Sequence, residues 1–130
     1  MARIEVPVSA GELVDKVTIL EIKSERITDA AKLENVRREL AALRATWQAS
    51  PLSARDVKSL VDLLREVNAR LWDIEDRIRE KEAAKAFDAE FVELARSVYR
   101  TNDRRAAIKR ELNVVLGSEL IEEKSYSKYE

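Results

Sequence analysis

The sequence contains no histidine and no cysteine among its 130 residues, and it has only two glycines and two prolines. Without histidine and cysteine, a Ser-His-Asp triad, a thiolate nucleophile, a zinc finger and an iron–sulfur site are all excluded. The two glycines, Gly11 and Gly117, lie too far apart to form a glycine-rich loop that binds phosphate or a dinucleotide. These absences remove most of the common catalytic and cofactor-binding motifs.

Charged residues make up 38% of the chain, but 24 Lys and Arg almost cancel 25 Asp and Glu. This balance argues against nucleic acid or an acidic membrane surface as a partner, because proteins that bind them usually carry a basic excess. No apolar run is long enough for a signal peptide or a membrane span. The lack of cysteine also fits a reducing compartment. We therefore expect one cytoplasmic domain with no nucleic-acid partner and no membrane partner.

Apolar residues recur at helical spacing in four segments, which predicts an all-α fold. The predicted helices cover about residues 10–28, about 30–48, a third segment whose apolar stripe runs from 57 to 78, and about 89–116. Their predicted N-caps are Ser9, Asp29, Ser53 with Asp56, and Asp88, and Gly117 is the predicted final stop.

The stripe of helix 3 restarts out of phase at Phe87, which predicts a turn near residue 86; one long bent helix is the alternative. We predict an antiparallel helical bundle in which a long hairpin of helices 3 and 4 packs against a shorter hairpin of helices 1 and 2. The short pair cannot cover the whole long pair, so the leftover apolar strip predicts a homodimer.

The chain ends are predicted to lie outside the helices. An extended lead-in covers residues 1–9, and a polar tail covers 118–130. Polar and apolar side chains alternate over residues 3–8, which is typical of a strand, but Pro7 restricts such a strand to an edge. No other segment repeats this pattern, so a strand here needs a second copy of the chain or stays unpaired.

A basic segment of helix 4 is the strongest candidate for a functional site. Residues 96–110 hold six basic side chains and one acidic side chain, in a chain of net charge −1. Basic residues recur every four positions and so line one helical face, where they could hold a phosphate or carboxylate. The candidate ligand-binding residues are Tyr99, Asn102, Asp103, Arg104, Arg105, Arg96 and Arg100.

The alternative interpretation of this segment is structural. If helices 3 and 4 pair antiparallel, Asp76 faces Arg96 and Asp73 faces Arg100, which predicts ion pairs between the helices. Arg105 then lies in the seam opposite a valine, where an apolar residue such as methionine would be tolerated or stabilising.

Two enzyme classes are further alternatives. The acidic pairs Asp73/Asp76 and Glu90/Glu93 resemble the paired acidic motifs of all-α nucleotide pyrophosphohydrolases, although such pairs occur here about as often as chance predicts. Helical chorismate mutases hold a dianion in a cage of basic residues, and Lys16, Lys23, Arg26 and Arg37 could be placed in such a cage.

Three stretches together resemble a family of small bacterial proteins classed as a domain of unknown function: 11–23, 71–76, and 95–106 leading to 122–126. The resemblance covers nearly the whole chain and implies a complete, stand-alone bacterial protein. It carries no activity, cofactor or residue role to this sequence.

We predict a non-enzymatic helical interaction or scaffold protein with an unidentified protein partner. The alternative function is binding of, or catalysis on, a small anionic metabolite at the helix 4 cluster. We expect no cofactor, no metal site and no catalytic residue.

Overall fold

The computed structural model describes residues 2–130, and within them the chain forms four α-helices and no strand. The helices are α1 (Ala10–Arg26), α2 (Ala30–Ala49), α3 (Lys58–Ala83) and α4 (Ala89–Leu116), with a 3₁₀ turn (Pro51–Ala54) between α2 and α3. The predicted all-α bundle is confirmed. Residues 3–8 form no strand within the chain, which agrees with the expectation that this segment stays unpaired without a second copy.

Most predicted helix caps are confirmed. The side chains of Ser9, Asp29 and Asp88 each accept hydrogen bonds from backbone N–H groups in the first turn of the following helix. The predicted cap of helix 3 is confirmed only in part: Asp56 accepts a hydrogen bond from the Lys58 N–H at 3.2 Å, but Ser53 does not cap the helix. Ser53 lies inside the 3₁₀ turn. Helix α3 begins after Val57, whose apolar side chain cannot accept a hydrogen bond from the helix. Proline at the start of that turn places the chain reversal there instead.

The turn between α3 and α4 is confirmed, although no glycine or proline forces it. Lys85 adopts a left-handed conformation with φ of 54°. The N–H of Ala86 donates to the carbonyl of Lys81 at 2.9 Å, and that of Lys85 donates to Glu82 at 3.0 Å. This is a Schellman closure. The buried Lys81 ammonium also bonds the Asp88 carboxylate at 2.7 Å, which ties the start of α4 to the end of α3.

Helix α1 is the centre of the bundle. It packs against α2 on one side and against the antiparallel hairpin of α3 and α4 on the other, while α2 packs mainly on α1. The main core joins α1, α3 and α4, and its buried residues are Val14, Val57, Leu64, Leu112 and Leu116. A smaller core joins α1 and α2 through Leu20, Val36 and Leu40. Within residues 2–130, no helix is long and apolar enough to span a bilayer.

Candidate functional site

A fully buried carboxylate lies where α1, α3 and α4 meet. Asp15 on α1 has no exposed surface. Arg105 on α4 donates to it through two nitrogens, Nε at 3.0 Å from Oδ1 and Nη2 to Oδ2. Asn68 on α3 donates from Nδ2 to Oδ1 at 2.9 Å. Burying a charge costs several kcal/mol unless it is paired and hydrogen-bonded. These partners supply that compensation.

Three further side chains complete this arrangement. The Lys109 ammonium lies 2.6 Å from the Glu12 carboxylate and 3.7 Å from that of Asp15. Thr18 accepts a second hydrogen bond from Asn68 Nδ2 at 2.9 Å. We call these six residues the Asp15 network: Glu12, Asp15, Thr18, Asn68, Arg105 and Lys109.

The Asp15 network contains two acids and two bases, so its formal charges cancel. The hydrogen bonds from Arg105 to Asp15 raise the pKa of the guanidinium above its ordinary value. Arg105 therefore stays charged throughout the working pH range. Its side chain is bonded to Asp15 along one edge and is 28% exposed.

A glycine allows α1 to approach α4 closely enough to build the network. A Cβ on Gly11 would lie 2.5 Å from the backbone oxygen of Lys109, well inside the 3.4–4 Å of an ordinary van der Waals contact. The Gly11 N–H also donates to the buried Asn113 side chain at 2.6 Å. This approach fixes Asp15, one helical turn further along α1, against α4.

An open cavity of about 560 Å³ lies beside the Asp15 network, between α1, α3 and α4. Its wall is largely apolar, and polar groups stand at its two ends. The lining residues are Ile19, Ile22, Leu71 and Trp72 along the wall, Asn68, Asn102 and Arg105 at one end, and Glu75, Asp76 and Arg79 at the other.

The seven candidate residues on helix 4 do not converge on one site. Asn102 and Arg105 line the cavity. Tyr99 and Asp103 contact the tail instead: the Tyr129 hydroxyl donates to Asp103 at 2.6 Å, and the rings of Tyr99 and Tyr129 meet edge to face at 4.9 Å. The remaining three are Arg96 and Arg100, which both pair with Glu93, and Arg104, which is exposed.

The two ion pairs predicted between α3 and α4, Asp76 with Arg96 and Asp73 with Arg100, are wrong. Arg96 and Arg100 bond Glu93 on their own helix, at 3.1 and 3.3 Å, because an acid within two turns is easier to reach. Asp73 pairs with Arg26 on α1 at 2.6 Å. The interpretation of Arg105 as an unpaired seam residue is also wrong, since it bonds the buried carboxylate of α1.

The residues of the two enzyme alternatives are also dispersed. Of the acidic pairs, Asp73 bonds Arg26, and Glu90 bonds Arg77 at 2.8 Å. Within residues 2–130, no group of three or more metal-ligating side chains is close enough to hold an ion. Of the four cage residues, Lys16 and Lys23 line a second cavity of about 230 Å³, which Arg105 also lines. Arg26 pairs with Asp73, and Arg37 is exposed.

Asp15, the acid at the centre of the network, is not among the site residues predicted from the sequence. Asp15 and Thr18 are polar residues on the face of α1 that carries Val14 and Ile22. An acid on such a face needs a buried cation, and Arg105 was the one cation predicted to lie in the helix 4 seam. Pairing these two exceptions would have predicted their contact.

The contact between the tail and α4 gives a titration prediction. The Tyr129 hydroxyl donates to the Asp103 carboxylate, and this bond raises the pKa of Tyr129 from 10.0 to about 12. A group with a raised folded pKa stabilises the contact fully below its unfolded pKa, and the effect is lost as pH rises through the folded value. The contact between Tyr129 and Asp103 should therefore persist at pH 10 and be lost as the pH rises through about 12.

An ultraviolet absorbance titration of tyrosine ionisation tests this prediction. In the Asp103→Asn variant the pKa of Tyr129 should fall toward 10, because the carboxylate that accepts its hydrogen bond is gone. Glu119→Gln removes a tail acid without touching Tyr129 and serves as the control. An unchanged tyrosine titration in Asp103→Asn would contradict the contact.

The fold and the buried network define a four-helix all-α protein organised around an inter-helix ion pair. A protein-family sequence model, described as a family of unknown function (DUF6165), matches residues 4–129. The chain therefore belongs to this family. The predicted membership of an all-helical family of unknown function is thereby confirmed. No curated protein and no solved structure matches the chain.

Proposed function

We propose that this protein is a non-enzymatic helical interaction protein of the cytoplasm that works as a homodimer, joined through its N-terminal arm, residues 2–8. The observation that supports the proposal is the exposure of this arm. The side chains of Ile4 and Val6 are 89% and 67% exposed, whereas most apolar side chains of the helices are buried or half-buried. An apolar row open to water is typical of an interaction surface.

The sequence of the arm suits pairing with a second strand. Ile4, Val6 and Val8 alternate with Arg3, Glu5 and Pro7. In an extended conformation the first set faces one side and the second set the other. Within residues 2–130 the chain forms no strand. A strand that pairs with the arm therefore has to come from another molecule.

The charges of the arm favour a second copy of this chain as that partner. An antiparallel pair centred on Ile4 places Arg3 opposite Glu5 of the second copy, and Glu5 opposite its Arg3. Opposite charges across a strand pair are stabilising, and like charges are destabilising. A parallel pair in register would place Arg3 opposite Arg3, so the pattern selects the antiparallel arrangement. Pro7 has no N–H group and ends the ladder.

The base of the arm extends the same apolar surface. The partly exposed side chains of Val8, Leu120 and Ile121 line a hollow of about 280 Å³. A second copy that pairs antiparallel with the arm would bring the start of its own arm, near Ala2, toward this hollow. At the far end of the hairpin, Phe87 is 57% exposed and is available to a further protein partner.

Charge-exchange variants of the arm test the homodimer. We expect the native chain to sediment as a dimer at micromolar concentration. Arg3→Glu should shift the equilibrium toward monomer by about tenfold or more, because two like-charged contacts form across the twofold axis. The double variant Arg3→Glu with Glu5→Arg should restore the dimer, since it only exchanges the two signs.

Two results would contradict the proposal. A native chain that is monomeric at micromolar concentration contradicts the homodimer. A dimer that persists unchanged in Arg3→Glu, and also in Ile4→Ser with Val6→Ser, places the interface on another surface. Light scattering coupled to size-exclusion chromatography measures both.

A further inference from the structure

We propose that the cavity between α1, α3 and α4 binds a small organic carboxylate. The anionic group is held by the free edge of Arg105 together with Asn102, and the apolar body lies against Leu71 and Trp72. This site uses two of the seven helix 4 residues and adds residues from α1 and α3. It is independent of the N-terminal arm.

Arg105 is prepared to bind an anion. A guanidinium has five N–H donors. Nε and one hydrogen of Nη2 bond Asp15, while both hydrogens of Nη1 and the second of Nη2 make no hydrogen bond within residues 2–130. The bound edge fixes the plane of the group, and the free edge has the fork geometry that matches a carboxylate. Asp15 thus acts as a positioning residue for Arg105.

The amides at the same end of the cavity complete the recognition. Asn102 lies one helical turn before Arg105 and makes no side-chain hydrogen bond within residues 2–130, so its N–H₂ group is free to donate. Both donors of the buried Asn68 are used on Asp15 and Thr18. Its Oδ1 is the acceptor that remains for a hydroxyl or amine on the ligand.

The far end of the cavity limits the charge of the ligand. Asp76 lies eight residues beyond Asn68 on α3, about 12 Å along the helix axis. It has no ion-pair partner within residues 2–130, whereas its neighbour Glu75 pairs with Arg79 at 3.4 Å. An acid at this position repels a second negative charge on the ligand. A monocarboxylate is therefore favoured over a polyphosphate or a dianion.

Nuclear magnetic resonance titration with 4-phenylbutyrate tests the site. The chain has two tryptophans, which give two separate indole N–H signals. The signal of Trp72, in the cavity wall, should shift saturably at millimolar concentration or below. That of Trp47, which packs on the main core, should not shift. The neutral analogue 4-phenylbutyramide should bind at least about tenfold more weakly, because it loses the charge-assisted hydrogen bonds.

Matched variants assign the effect to the proposed residues. Asn102→Leu and Arg105→Lys should each weaken 4-phenylbutyrate binding by about tenfold, since the first removes a donor and the second removes the planar fork. Arg104→Ala should bind like the native chain, because Arg104 is exposed and lies outside the cavity. Asn102 makes no internal hydrogen bond, so its variant keeps the test valid if Arg105→Lys fails to fold.

Several results would overturn the proposal. One is the absence of a saturable Trp72 shift with 4-phenylbutyrate, butyrate and octanoate. Equal binding of the acid and its amide would show that charge is not recognised. Stronger binding of ATP than of 4-phenylbutyrate would show the wrong ligand class, and shifts confined to the tail near Tyr129 would show the wrong site.

Discussion

Replacing Asp15 by asparagine should lower the free energy of unfolding by about 3 kcal/mol. The substitution keeps the volume of the side chain and removes its charge. Arg105 then loses the carboxylate that accepts its two hydrogen bonds, whereas Lys109 keeps Glu12 at 2.6 Å and Glu122 at 3.5 Å. Removing one partner of a buried ion pair is costly because the remaining charge stays desolvated.

Urea unfolding followed by circular dichroism measures this loss. Glu25→Gln makes the same chemical change at an exposed position of α1 and should shift stability by no more than about 0.5 kcal/mol. A loss below about 1 kcal/mol in Asp15→Asn would mean that the network does not stabilise the fold in proportion to its burial.

A double-mutant cycle separates the pair from its surroundings. Arg105→Met alone should destabilise the protein, because Asp15 loses its two closest charged hydrogen bonds. In an Asp15→Leu background the same change should be neutral or stabilising, since an apolar pair replaces two desolvated charges. Independent, additive effects would show that the two side chains are not coupled.

The helices were predictable because their signals are local. The heptad stripe of α3, the Asp88 cap and the Gly117 stop each depend on residues within one or two turns of one another. These local signals do not conflict with one another, and the helices of the structure follow them. Ser53 does not cap α3, because the 3₁₀ turn that begins at Pro51 includes Ser53.

The site was less predictable because its members are distant in sequence. Arg105 and Asp15 are separated by 90 positions, and Asn68 comes from a third helix. Helical periodicity gives the face of each helix but not the rotation of one helix against another. The basic segment was therefore found, whereas its division among the cavity, the tail and Glu93 depends on packing that no local pattern encodes.

The close approach of α1 and α4 gives the last large effect. Gly11→Ala should destabilise the protein by about 2 to 3 kcal/mol, because the new methyl group overlaps the Lys109 carbonyl and the Asn113 side chain. Helix propensity alone predicts the opposite sign, a gain of up to about 1 kcal/mol for alanine in a helix.

Thermal and urea unfolding of the two glycine variants distinguish these mechanisms. Gly117→Ala meets no atom within 4 Å but strains a backbone with φ of +65°, so it should cost only about 1 kcal/mol. If Gly11→Ala costs less than Gly117→Ala, the helices are not in tight contact at Gly11. If it costs clearly more, the contact with α4 outweighs the helical preference of alanine, and Gly11 is the residue that lets Asp15 reach Arg105.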